Sequence, residues 1–153
     1  MSQRASILGA HRFLRKLPSG QIERLAEMAE HVSFPAHCRL FEEGTPARSF
    51  WLIDAGQVAV DTLVPGRGRV TIELLGRDDV LGLSWLQSPY QWQHGAITTQ
   101  PMQAFQFDAA KVRQACEEDP ELGYELLKRL MAVAAQRLQA TRARMVQARS
   151  TAA

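Results

Sequence analysis

The chain has 153 residues, 46% of them apolar, and a formal net charge of +2. That length suits one domain around one core. Its apolar runs, such as Val58–Val60 and Leu81–Leu86, end long before the roughly 20 residues that a bilayer span requires, and so small a net charge does not by itself point to nucleic acid.

The opening Met1-Ser2-Gln3-Arg4 leads into mixed polar and apolar sequence without a sustained hydrophobic region, so a soluble, cytoplasmic protein is expected. A helical stretch is expected around Ser6–Arg15. Ser19, after Pro18, is placed to cap a second helix from about Gly20 to Ala29. On that helix Ile22, Leu25, Ala26 and Ala29 share one face, while Glu23, Arg24 and Glu27 take the rest.

From Val32 to Phe107 the texture changes to short β-prone segments punctuated by Pro35, Gly44, Pro46, Gly56, Pro65-Gly66, Gly76, Gly82 and Pro101, the pattern of a barrel, sandwich or roll. Val70, Ile72 and Leu74 share a face of one strand, and Gln103, Phe105 and Phe107 a face of another, as half-buried antiparallel strands require. After Asp108 the period turns helical, first in a short segment to Glu117. Asp119-Pro120 then reads as an N-cap followed by proline at the first helical position. The long helix that follows carries Leu127, Met131, Ala134, Leu138, Thr141 and Met145 in steps of four and three, the seam on which two parallel helices supercoil. A length of roughly 40 Å exceeds what so small a domain needs to cover, which favours a homodimer over a helix folded on its own β-roll. One domain over 1–153 is expected, with N-terminal helices in 1–31, the β-roll in 32–107 and C-terminal helices in 108–149.

Little in the chain carries chemistry. Cys38 and Cys116 are far apart and outside any Cys-x-x-Cys pattern. His11, His31, His37 and His94 are scattered without ligand spacing, so no metal is expected. His37 and Cys38, adjacent on a strand, point to opposite faces. Ser84 and Ser88 lack the nucleophile-elbow pattern, and no glycine-rich loop precedes a helix in the P-loop manner. Neither enzymatic activity nor a cofactor is expected.

Two segments carry a family resemblance. Arg39-Leu40-Phe41-Glu42-Glu43-Gly44, continuing through Phe50-Trp51-Leu52-Ile53-Asp54-Ala55-Gly56-Gln57-Val58, resembles the opening strands and glycine turns of the cyclic-nucleotide-binding domain family, which includes bacterial catabolite activator protein and Fnr-type regulators. Leu74-Leu75-Gly76-Arg77-Asp78-Asp79-Val80-Leu81-Gly82 is similar to the segment leading into that family's phosphate-binding cassette. The resemblance implies an α+β fold: an antiparallel, jelly-roll-type β-roll with N-terminal helices and a long C-terminal dimerisation helix, acting as a regulatory module. The family's transcription factors continue into a helix-turn-helix domain, whereas this chain stops at Ala153, so direct reading of DNA sequence is not expected.

In nucleotide-binding members a Phe-Gly-Glu-like motif is followed about ten residues later by Arg and Ser or Thr. The Glu holds the ribose hydroxyl and the Arg neutralises the phosphate. Here Leu83 takes the acidic position in Leu81-Gly82-Leu83-Ser84, and the arginine position falls at about Trp92, flanked by Gln91 and Gln93. No Arg or Lys lies between Asp78 and Ala110. A buried phosphate without a cation is strongly disfavoured, so tight binding of cAMP or cGMP is not expected. Backbone amides near Gly82, the Ser84 hydroxyl and a protonated His94 remain as the alternative anion partners. Gly82, Leu83, Ser84, Trp85, Tyr90, Gln91, Trp92, Gln93 and His94 form the candidate pocket. Its aromatic and amide side chains line a site for an uncharged planar ligand, fill the old pocket, or face a protein partner.

Beyond Glu125 the chain carries Lys128, Arg129, Arg137, Arg142, Arg144 and Arg149 and no acid. These cations offset the negative end of the helix macrodipole in solvent; the alternative is a basic surface for nucleic acid in a transcription regulator. The expectation from all of this is a homodimeric regulatory module that takes a small uncharged ligand or a protein partner, with no role at a membrane.

Overall fold

The computed structural model describes residues 2–151; Met1, Ala152 and Ala153 lie outside them. In chain order the elements are α1 (Gln3–Gly9), a 3₁₀ turn (Arg12–Leu14), α2 (Ser19–Glu27), β1 (Ala29–Phe34), β2 (Arg39–Phe41), β3 (Ser49–Ala55), β4 (Val58–Val64), β5 (Gly68–Leu75) and β6 (Val80–Leu81). A second 3₁₀ turn (Ser84–Leu86), β7 (Gly95–Thr98), β8 (Met102–Asp108), α3 (Ala109–Glu118) and α4 (Pro120–Thr151) complete it. The strands form two four-stranded antiparallel sheets, ordered β1-β8-β3-β6 and β2-β7-β4-β5. This is the β-roll with flanking helices that the strand pattern implies.

At its centre, in β3 and β8, the first sheet is buried on both faces. Phe50 opposite Phe107 and Leu52 opposite Phe105 lie on one face, and Trp51 and Ile53 with Ala104 and Gln106 on the other, because neighbouring side chains alternate along a strand. The Phe50 face meets the helical layer: α2 meets β1, and α3 meets β8 and the 84–86 turn. The Trp51 face looks into the roll, where Phe41 of the second sheet stacks near it with centroids 5.7 Å apart. The β3–β4 corner depends on Gly56, whose φ is +100° and where a Cβ would lie 2.2 Å from the Pro101 carbonyl oxygen.

Five sequence expectations change. His37 and Cys38 lie in the connection before β2 and not on a strand, His37 with φ at +62°. The segment around Ser6–Arg15 is a helix that ends at Gly9 and a separate 3₁₀ turn, divided at His11, whose extended ψ of 135° cannot continue a helix. Ser19 is the first residue of α2 and makes no capping hydrogen bond; Pro18 occupies the cap. The roll begins at Ala29, three residues before Val32, because Ala29 pairs with Phe107 and carries the ladder on to Phe34 opposite Met102. On β5 the half-buried face is absent: Val70 and Leu74 are 36% and 57% exposed. β5 is an edge strand, and Ile72 is an extra residue in its ladder, since Val60 pairs with Glu73 and Asp61 with Thr71. Such a bulge breaks the alternation on which the expectation rested.

The Asp119 cap follows the sequence, and the structure adds a second at Asp108. Asp108 accepts from the Lys111 amide at 3.1 Å and Asp119 from the Leu122 amide at 3.3 Å. Leu122, Leu126 and Leu130 of α4 are buried, and Val133 packs against the core.

His11 ties the N-terminal segment to the sheet. Its Nε2–H donates to the Ile53 carbonyl at 3.0 Å, and its Nδ1 accepts from the Phe13 amide at 3.2 Å, a pattern only the neutral ring satisfies. Burial lowers its pKa, outweighing the bond to Ile53 and the charges of Asp78, Asp54 and Asp79. The unfolded chain therefore takes up the proton first, so this contribution to stability is complete above about pH 6.5 and falls as the pH drops below it. Thermal unfolding at about pH 7.5 and 5.5 is expected to give a lower Tm at the acid value, and His11→Asn to shrink the difference. An undiminished difference in the variant contradicts the assignment.

Candidate functional site

Between β6 and β7 the chain forms a short cassette: Gly82, Leu83, the Ser84–Leu86 turn and a loop to Gly95. Hydrogen bonds pin the loop to the 44–47 turn: the Gly44 amide donates to the Trp92 carbonyl at 2.7 Å, the Trp92 amide to the Thr45 carbonyl at 2.8 Å, and the Ala47 amide to the Tyr90 carbonyl at 2.7 Å. This register directs the Trp92 ring into the roll. There it stacks on Phe41 with centroids 3.7 Å apart and lies 6.2 Å from Trp51, only 5% exposed. Gly82 supplies the clearance, since with φ at +104° a Cβ there would fall 2.9 Å from Trp92 Cη2.

Trp85 goes the other way, into the helical layer. Its ring stacks on Phe50 at 4.3 Å and its Nε1–H donates to the Gly82 carbonyl at 3.0 Å. Leu83 is half-buried against the core and Ser84 is half-buried beside it, while Tyr90, Gln91, Gln93 and His94 are exposed. The structure thus brings Trp85 and Trp92 to Gly82 on opposite sides of a sheet, and leaves the amides and His94 outside.

The cations nearest the cassette come from helices the local sequence does not include. Arg113 of α3 donates to the Trp85 carbonyl at 2.7 Å and lies 4.0 Å over the Tyr90 ring. Arg137 of α4 donates to the Val80 carbonyl and sits 3.8 Å from Glu73. Burial lowers its pKa, with the carboxylates of Glu73 and Asp79 opposing. Arg137 is therefore a packing residue and not one of a row of solvated cations. The signal for it was present: it extends the inward stripe of Leu126, Leu130 and Val133 by one more step of four. Arg129 is likewise engaged, by Glu125 and the Arg15 carbonyl, which reduces the basic surface expected of the tail.

A third arginine lies in the roll itself. Arg39 makes a two-pronged pair with the buried Asp61 at 3.0 and 2.8 Å, and Gly95 permits it, since a Cβ there would lie 2.5 Å from Asp61 Oδ1. The pair holds Arg39 more firmly protonated, the hydrogen bond to Asp61 being the main cause. Its charge is already neutralised.

On α4 the seam positions Leu127, Met131, Leu138 and Met145 are 51–71% exposed, and Ala134 and Thr141 are also exposed. They lie beside the inward stripe without touching the roll.

Residues 31–119 match the family model described as the cyclic nucleotide-binding domain, and the chain belongs to that family. A Geobacter metallireducens protein provisionally named as cyclic nucleotide-binding is similar in structure at 25% identity, with a TM-score of 0.80 over 90% of this chain and 99% of that one. The cAMP-binding acyltransferase of Mycobacterium smegmatis is similar at 23% identity and a TM-score of 0.68, over 90% of this chain and 41% of that one. Thermus thermophilus catabolite activator protein is similar at 16% identity and a TM-score of 0.70, over 88% of this chain and 62% of that one. The last two carry the fold alone. No curated protein sequence gives a significant match.

If Trp92 is core, removing it costs what removing any buried indole costs. Trp92→Ala is expected to lose about 3–5 kcal/mol in denaturant unfolding without any ligand, whereas Gln93→Ala stays within about 0.5 kcal/mol. A Trp92→Ala protein as stable as its parent contradicts the packing role.

Proposed function

We propose that the chain is a homodimeric regulatory module whose nucleotide space is filled by its own side chains. The observation that supports this most directly is the Trp92 indole stacked on Phe41 beneath Gly82. Trp92 stands where the family resemblance puts the phosphate arginine, and the position of the ribose acceptor is Leu83. Arg137, Arg113 and Arg39 are committed to Val80, Trp85 and Asp61. A cyclic phosphate entering the roll meets a ring in place of a cation and finds no carboxylate for its sugar.

The dimer rests on the exposed seam. Of six positions at coiled-coil spacing, Leu127, Met131, Leu138 and Met145 leave large apolar side chains in water, and a second copy of α4 is the surface that covers such a stripe in register. With 32 residues, α4 is about 48 Å long, and every described residue after Arg137 is exposed. The module works by presenting surfaces to a protein partner or a small molecule. Among the described residues no cluster of His, Cys, Asp or Glu could hold a metal, and no helix is long and apolar enough to cross a membrane.

Two measurements test the proposal. Calorimetric titration with cAMP and cGMP is expected to show no saturable heat; micromolar binding of either overturns the filled interior. Light scattering is expected to give twice the chain mass at micromolar concentration, and Leu138→Asp to give the single mass, because a carboxylate on the seam is desolvated without a partner. A monomeric parent overturns the dimer.

A further inference from the structure

At the open end of the roll lies a groove of about 350 Å³, lined among others by Phe41, Trp51, Trp92, Arg39, Arg48 and Gln106. That volume lies at the lower end of the range for small-molecule sites. It is distinct from the exposed amides and imidazole of the cassette, and from the seam of α4.

Its chemistry is lopsided. One side is aromatic, the margin of the Phe41–Trp92–Trp51 stack. No Asp or Glu lines it. Arg39 is neutralised by Asp61, but Arg48 is exposed and its guanidinium has no ion pair or hydrogen bond among the described residues. Gln106 uses its Oε1 to accept the Trp51 indole N–H at 2.8 Å, which leaves its amide nitrogen as a donor. Ring surface beside unengaged donors selects a flat anion.

We propose that this groove binds a planar aromatic carboxylate of one or two rings, with the ring against the half-buried Phe41 and the carboxylate on the Arg48 fork. The two oxygens of a carboxylate match the two parallel N–H groups of a guanidinium. A nucleotide fits the groove less well: its ribose hydroxyls and exocyclic amine are donors, and among the lining side chains the acceptors are the hydroxyls of Thr45 and Ser49 and the already engaged Oε1 of Gln106.

The test is calorimetric titration of the full chain with 1-naphthoate and indole-3-carboxylate, beside 1-naphthamide, which keeps the ring and lacks the charge. Saturable binding of the acids is expected, with the amide weaker by about tenfold or more. Arg48→Ala should lose a similar factor at an unchanged melting temperature, because its side chain holds nothing else in place. A parent that takes up neither acid overturns the proposal, as does an Arg48→Ala protein that binds them like the parent. The ligands are not nucleotides, so the result is separable from the cAMP and cGMP titrations.

Discussion

Between the two sheets the Trp92 indole lies on Phe41 with centroids 3.7 Å apart, and two groups cannot share one volume in an interior packed to protein density. The stack needs several supports at once. Gly82 must lack a Cβ, the 44–47 turn must hold the loop by its backbone, and Trp51 must stand close behind. Trp85 is drawn into the opposite face of the same sheet by Phe50, itself stacked on Phe107 at 4.8 Å. The cassette is thereby anchored through its aromatic residues on both sides of β3 and β8.

Charge follows the same logic. An arginine aimed into the roll is a cation that needs a partner there. Arg39 is matched by Asp61. Arg113 and Arg137 instead grip backbone carbonyls at Trp85 and Val80 from outside and clamp the cassette to α3 and α4. On one face α4 holds β6 through Arg137, and on the other it presents the seam.

Much of this was legible in the sequence, and the reasons are local. Asp119-Pro120 and the glycine corners announce a cap and turns whose geometry only those residues meet readily. The two family segments gave the roll, and the missing acid and arginine stood at Leu83 and Trp92. What the sequence left open depends on long-range contact. The direction of each tryptophan ring is set by Phe41 and Phe50, far away in the chain. The burial of Arg137 is set by Glu73 and Val80, 64 and 57 residues away. The bulge at Ile72 and the exposure of β5 arise from its place at a sheet edge, which alternation along one strand does not reveal.

The central claim, that the nucleotide space is occupied by the protein itself, is tested most directly by a crystal grown in millimolar cAMP. The account predicts the Trp92 ring flat on Phe41 and no phosphate within hydrogen-bonding distance of Gly82 or Leu83. A Trp92 ring swung out to solvent, with a nucleotide lying between the sheets in its place, would contradict it.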